Sequence, residues 1–365
     1  MKLTLEIKMP LPLILGAAAI AAAGFGAKKG YDGYQDQTEA NDIVEKAKSD
    51  YEDTKSQFDE ANEITETHLN NLGELQLKVG SDFKSFRTIA QELLEKMETS
   101  SVGDISIDFP KHKLDQIDGL AFSTTAYLGE LAKGAVGGGA AAYAVYGGVM
   151  ALAAASTGTP IAALSGAAAY NATMAAIGGG ALSAGGMGMA GGAMVLGGVV
   201  AAPIIAIAGW AFASHAEEAL SDAKKSRKEV EQAIEKMQKA QYQLRQTRTY
   251  VKKLHTEIER IYTTIFLPYF DALKEMERVI MAGESREEIA DELIQIIGNG
   301  YQVAAILTDI ITTPLFKPKM DSNGKVLMSK DNVVEIEVNA DGLQVINANQ
   351  IDANLATSNK ASQKY

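Results

Sequence analysis

Apolar and small side chains between residues 31 and 98 recur at alternating steps of four and three: Ala40, Val44, Ala47, Tyr51, Thr54, Phe58, Ala61, Thr65, His68, Leu72, Leu75, Val79, Asp82, Phe86, Ile89 and Leu93. That alternation is the a/d seam of a long helix packed on a neighbour. Gly73 and Gly80 fall inside it and soften the helix without ending it. A second seam repeats every seven residues through Ala223, Val230, Met237, Leu244, Val251, Ile258 and Ile265. Three positions after the first six lie Ser226, Ala233, Ala240, Thr247, Leu254 and Ile261, whose small members suit close approach of a second helix. Pro268 predicts a break or kink. The seams, carried by Phe58, Leu72, Leu75, Val230, Met237, Leu244, Val251 and Ile258, predict two helical arms. Joined through an intervening excursion, they are expected to pack antiparallel.

The stretch "SSVGDISIDFPKHK" (100–113) predicts an irregular connection ending at Pro110. A helical pattern then resumes from Leu114 to Lys133. From Gly134 to Ser214 the periodicity disappears, and 81 consecutive residues carry no Asp, Glu, Lys, Arg or His. Nineteen of them are Gly and 27 are Ala. "STGTP" (156–160) and "IGGGALSAGG" (177–186) divide this block into Gly134–Ala155, Ile161–Ile177 and Met187–Ala213. The last piece is the richest in strong membrane formers, and Trp210 near its end suits a bilayer interface. Gly and Ala let helix backbones approach closely inside a membrane. Candidate membrane-inserting residues are therefore Gly134, Gly138, Val145, Val149, Gly188, Gly192, Leu196, Val200, Ile204, Ile207 and Trp210. If the arms pair, both ends of the block lie on one side of the membrane, so it crosses an even number of times or dips in and returns.

At the N-terminus, residues 9–27 are uncharged and Lys28 and Lys29 close the run. An uncleaved anchor, a signal peptide and a buried helix all fit this pattern. Residues 284–313 predict a helix with Glu284, Glu287 and Glu288 in its first turn, broken by "GNG" at 298–300. Beyond Pro314 and Pro318, Asn-Gly and Asp-Gly turn signals flank alternating Val334, Ile336 and Val338, predicting a small β-hairpin. From Asn347 the tail is polar and expected to be mobile. The organisation expected is an N-terminal anchor or signal (1–30), an acidic arm with its connecting helix (31–133), a Gly/Ala-rich hairpin (134–214), a returning arm (215–283), a helical brace (284–317) and a hairpin-like tail (318–365). In fold class this is all-α: an elongated antiparallel coiled-coil bundle with a hydrophobic membrane hairpin.

Charge adds a pairing preference. Residues 31–98 hold 17 acidic and 7 basic side chains, whereas 215–280 hold 11 and 13. Complementary flanks favour pairing between the arms over self-pairing of the acidic one. The whole chain of 365 residues carries a net charge of −12. That balance argues against nucleic acid, whose phosphates need clustered Lys and Arg. With no cysteine in the chain, thiolate chemistry and disulfides are excluded. His68, His112, His215 and His255 are scattered without metal-ligand spacing. No glycine cluster continues into Gly-Lys-Ser/Thr. The expectation is a protein without catalytic, cofactor-binding or metal-binding residues. Its partners are the lipid bilayer, further copies of the same chain, and a protein docked on the arms or the tail.

The succession of charged coiled coil, long uncharged hairpin and charged coiled coil, over residues 31–280, resembles the α-helical pore-forming toxins of the cytolysin A and haemolysin BL type. It is also similar to the hydrophobic translocators of type III secretion. The resemblance implies a hydrophobic element held against a helical bundle that moves into a bilayer during oligomerisation. The N-terminal apolar run followed by "KKGYDGY" departs from many such toxins, which lack a permanent membrane segment. Two functions are therefore expected as alternatives: a pore or lesion former, and a constitutively anchored coiled-coil scaffold that recruits or spaces partners. The compartment expected is the bacterial inner membrane, with secretion and insertion into a target membrane as the alternative.

Overall fold

The computed structural model describes residues 27–98, 109–132, 140–141, 143–145, 216–282, 289–322, 326–327 and 335–365. These residues are all-α, with no strand among them. In chain order the helices are α1 (Ala27–Glu98), α2 (Lys111–Ala132), α3 (Ala216–Ile261), α4 (Leu267–Met281), α5 (Ala290–Ile311) and α6 (Ala348–Ser362). A π-helical turn, Tyr262–Phe266, joins α3 to α4. Contacts divide the chain into two compact units, Met1–Glu60 with Val200–Ala240, and Ala61–Val199 with Gln241–Tyr365. Both α1 and α3 contribute residues to each.

In the first unit Ala40 and Ala223 are buried against each other, with Ile43, Val44 and Leu220 packed around them. Lys224 reaches Glu39 at 3.6 Å beside this contact. Between residues 51 and 60 only Tyr51, Thr54 and Phe58 are shielded from solvent, so α1 here buries a narrow stripe. The matching α3 positions Val230, Ala233, Met237 and Ala240 are all buried. Small residues dominate these layers, so little apolar area stabilises each one.

The second unit is a helical bundle around an aromatic core of Phe83, Phe86, Tyr262, Phe266, Phe270 and Tyr301. Phe86 alone packs its ring against Phe266, Phe270 and Tyr301 at centroid distances of 5.5, 6.0 and 5.4 Å. Here the expected antiparallel pairing of the arms is corrected. As α1 advances through Thr65, Asp82, Phe86 and Lys96, its partners advance through Leu244, Tyr262, Phe270 and Met281. The two helices are parallel. The antiparallel neighbour of α1 is α2: Arg87 is ion-paired with Asp118, Gly80 abuts Thr124 and Gly73 abuts Ala140. An extra pass of chain lies between the arms, which makes the first and third passes run the same way.

The α1 seam also shifts register. In this unit the seam of buried positions is Thr65, Leu69, Leu72, Gln76, Val79, Phe83, Phe86, Ala90, Leu93 and Met97, with Gly73, Leu77 and Gly80 buried beside it. Leu75 and Ile89, expected on the seam, are only half-buried, and so are His68 and Asp82. A straight helix drifts by about 20° per heptad against a strict seven-residue repeat. Contacts with several neighbours then favour the positions one residue further on. The α3 seam needs no such revision: Leu244, Val251, Leu254, Ile258 and Ile261 are all buried.

Pro268 neither breaks nor ends the helix, because the π turn directly precedes it and Pro268 enters the first turn of α4. A π turn re-pairs carbonyls where the proline ring and its missing N–H spoil the α pattern. Nor does "GNG" break α5. A Cβ on Gly300 would sit 2.3 Å from the Phe86 ring, so this glycine makes room for the core while the helix runs on.

The described residues between Leu315 and Asn347 form four isolated antiparallel bridges, while the Asn-Gly turn and Val334 of the expected hairpin lie outside the described residues. Their backbone bonds close on themselves. Lys317 N–H donates to Val345, Val345 to Glu337 and Glu337 back to Lys317, at 2.8, 2.9 and 2.8 Å. Lys319, Glu335 and Leu327 repeat the triangle at 2.7, 3.0 and 2.9 Å. The Asp-Gly turn is present: Gly342 has φ 79° and Asn339 Oδ1 accepts from Asp341 and Leu343 N–H. The tail beyond Asn347, expected to be mobile, is instead helix α6. It buries Ile351, Ser358 and Ser362 and is tied to α3 by Lys253–Asp352 and Arg260–Ser362, each at 2.8 Å. Its apolar content is low, but the spacing of Ile351, Leu355, Ser358 and Ser362 gives one helical face.

Candidate functional site

The described start of the uncharged block is the most distinctive feature of the second unit. Ala140, Ala141 and Tyr143–Val145 are helical and every one is buried, Tyr143 completely. They lie against α1 at Gly73, and one heptad further on α2 fills a second glycine notch at Gly80. A Cβ on Gly73 would stand 1.8 Å from the Ala140 carbonyl oxygen, and one on Gly80 would stand 2.1 Å from Thr124 Oγ1. The Ala140 backbone fits this close to α1 because residue 73 has no side chain. Polar groups fix the position: Ala141 N–H donates to Asn70 Oδ1 at 2.9 Å, and the Tyr143 and Thr124 hydroxyls are 2.9 Å apart. The Tyr127 and Tyr143 rings lie 5.1 Å apart between centroids.

A groove of about 510 Å³ opens beside this seat, lined by Asn70, Glu74, Leu77, Lys78, Ser81, Asp82, Leu128, Leu131 and Ala140. Two of its lining residues meet Tyr262: Asp82 accepts a hydrogen bond from the Tyr262 hydroxyl, and the Lys78 ammonium sits 5.4 Å from the centre of its ring. Burial, then the adjacent carboxylate, drive the Tyr262 hydroxyl pKa upward, so it remains a donor. Asp118 on α2 is held above the usual carboxylate range by burial, which outweighs the opposing pull of Arg87. The arrangement holds an apolar segment by shape and a few directed hydrogen bonds. Among the described residues no three His, Asp or Glu side chains are grouped as a metal site.

Of the candidate membrane-inserting residues, Val145 lies in the seat. Gly134, Gly138, Val149, Gly188, Gly192, Leu196, Val200, Ile204, Ile207 and Trp210 lie outside the described residues. Among the seam residues, Leu72, Val230, Met237, Leu244, Val251 and Ile258 are buried, and Phe58 and Leu75 are half-buried. His68 is partly shielded, and its pKa is lowered by burial first and then by Lys252, Arg248 and His255. Gly73 and Gly80, expected only to soften α1, are notches that admit close neighbours. Their signal was present, since two glycines seven apart share one face of a helix.

One described helix, α5 (Ala290–Ile311), is long and apolar enough to cross a membrane. Its most apolar window is 61% buried inside the protein, as a core helix would be. Fold and seat together define an all-helical protein that holds the beginning of a long uncharged segment against its bundle. No protein-family model, curated protein or solved structure matches the chain.

Proposed function

We propose that this chain is a membrane-active helical protein that oligomerises and inserts its Gly/Ala-rich block, Gly134–Ser214, into a bilayer to form a pore or lesion. The observation that carries this reading is the seat. The block's first described residues rest on α1 and α2 through the glycine notch at Gly73 and two side-chain hydrogen bonds. Being uncharged and free of cysteine, they can form no ion pair or disulfide that would lock them there. Small residues bury little apolar area per position, so the difference between packing on α1 and packing in lipid is modest. A segment of this kind can exchange one environment for the other. The arms α1 and α3 supply the surfaces for association between copies. Lys28 and Lys29 behind the apolar run at residues 9–27 favour action at the membrane of the cell that makes the protein.

Dye release from liposomes tests the proposal, comparing the protein with the Ala193→Asp/Gly197→Asp double variant. Each carboxylate near a span centre opposes insertion by about 2.5–3.5 kcal/mol. Leakage by the parent that the variant loses is the expected result. A parent that partitions with the membranes yet releases no dye overturns the pore and leaves an anchored scaffold.

A further inference from the structure

We infer that the basic stripe Arg245, Arg248, Lys252 and His255 of one copy docks on the acidic stripe Asp42, Glu45, Asp53 and Glu60 of another. This rests on the reading above that the chain oligomerises, and it names the surfaces that meet. In the second unit the four α3 residues recur at steps of three and four, so they share one helical face. Arg245 and Lys252 are exposed, and Arg248 and His255 are half-buried. His68 comes to the same face from α1: burial first, then Lys252, Arg248 and His255, lower its pKa. Ile64, Asn71 and Leu75, at helical spacing from His68, bring no charge to it. Glu259, 3.6 Å from His255 Nδ1, is the carboxylate at the end of the stripe. Arg245, Arg248 and Lys252 have no carboxylate partner among the described residues.

The first unit carries the complement. Asp42, Glu45, Asp53 and Glu60 are exposed along one face of α1. None of them has a basic partner among the described residues, whereas Glu39, Glu52 and Asp59 are ion-paired with Lys224, Lys48 and Lys55. As helix, Asp42 to Glu60 spans about 27 Å and Arg245 to His255 about 15 Å, so the acidic stripe is long enough to cover the basic one. Opposite stripes with no partner inside the copy steer two copies together, and they select this face against like-charged ones. An anionic membrane is the poorer occupant, because residues 31–98, with 17 acidic and 7 basic side chains, are repelled by it. Each copy gives one stripe and receives the other. That is a heterologous contact, which builds a ring when the rotation between copies closes.

Two full-length variants test this: Arg245→Glu/Arg248→Glu/Lys252→Glu and Asp42→Lys/Asp53→Lys/Glu60→Lys. None of the six side chains lies in the core, and circular dichroism checks that both variants remain helical. Sedimentation velocity follows them in nonionic detergent at about 0.05 M salt, where screening is weak. The parent is expected to associate, and each variant alone to associate about tenfold more weakly or less. An equimolar mixture of the two should recover, because the intact acidic stripe of one meets the intact basic stripe of the other. Salt at about 0.5 M should weaken the parent as well. Variants that each associate as tightly as the parent, or a mixture that fails to recover, overturn this inference and leave oligomerisation standing. So does a Arg245→Glu/Arg248→Glu/Lys252→Glu variant that self-associates like the parent but no longer floats with phosphatidylglycerol vesicles, since the stripe then serves lipid headgroups. A parent that stays monomeric at every concentration and salt overturns the oligomerisation reading itself.

Discussion

Gly73→Ala adds one methyl group where the structure leaves none of the room it needs. The new Cβ would stand 1.8 Å from the Ala140 carbonyl oxygen and 2.5 Å from its carbon, and both are backbone atoms that no rotamer change can move. Ordinary contact begins near 3.4 Å, so the block's first turn must lift by about 1.6 Å, the difference between the two. The Asn70–Ala141 hydrogen bond, now 2.9 Å, is then broken. Overpacking costs about 1–3 kcal/mol, and the lost hydrogen bond about 0.5–1.5. Better helix propensity returns about 1. The net expectation is a loss of about 1–3 kcal/mol, or a melting temperature lower by about 2–10 °C for a unit of this size. Gly129→Ala is the control. No atom lies within 4 Å of its Cβ, so propensity alone acts and melting should rise. Thermal unfolding followed by circular dichroism reads both, and dye release after loosening the seat should begin sooner in Gly73→Ala. If Gly73→Ala instead melts higher, like Gly129→Ala, with unchanged release kinetics, the block does not rest on α1 and the seat is wrong.

Acid should weaken the packing around His68. Its folded pKa lies below the ordinary 6.5, through burial and the neighbouring Lys252, Arg248 and His255, so the unfolded chain takes up the proton first. Stability is complete above pH 6.5 and falls as the pH drops through the lowered value. The urea midpoint should decrease from about pH 7.5 to about pH 5, and less steeply in His68→Gln; equal slopes would count against the electrostatic account. Phe86→Ala removes the ring shared by Phe266, Phe270 and Tyr301 and should cost about 3–5 kcal/mol in urea unfolding, whereas a cost below about 1 would mean the core collapses around the gap.

Much of the helical framework is written in the heptads. Along α3 every predicted layer from Val230 to Ile261 is buried, because small and branched residues there leave one stripe for a partner. On α1 the predicted Leu72, Val79, Phe86 and Leu93 are buried, but the alternate positions Leu75, Asp82 and Ile89 give way to Gln76, Phe83 and Ala90, since several neighbours press on a helix whose pattern was read for one. Direction was not legible at all: a/d periodicity is indifferent to whether a partner runs with or against it. The contacts of α2 with Gly80 and Arg87, and of the block's start with Gly73, are what establish the return pass. The glycines of "GNG" were read as a break because local propensity was weighed without the Phe86 contact that uses Gly300, and the break or kink expected at Pro268 takes the form of a π turn just before it. Helix α6 was missed because its buried face sets Ile351 among serines, too polar to register as a core stripe.

The triangles of Lys317, Glu337 and Val345 and of Lys319, Glu335 and Leu327 bear on a hazard that any chain with exposed apolar side chains faces in solution. In each triangle every N–H and its facing carbonyl are spent within the ring. An open sheet offers a row of unpaired groups on which another extended chain can template itself. A closed triangle has no such margin at those residues. These residues can therefore stand beside exposed apolar side chains, such as Met320 and Val338, without offering an edge for strand-by-strand aggregation.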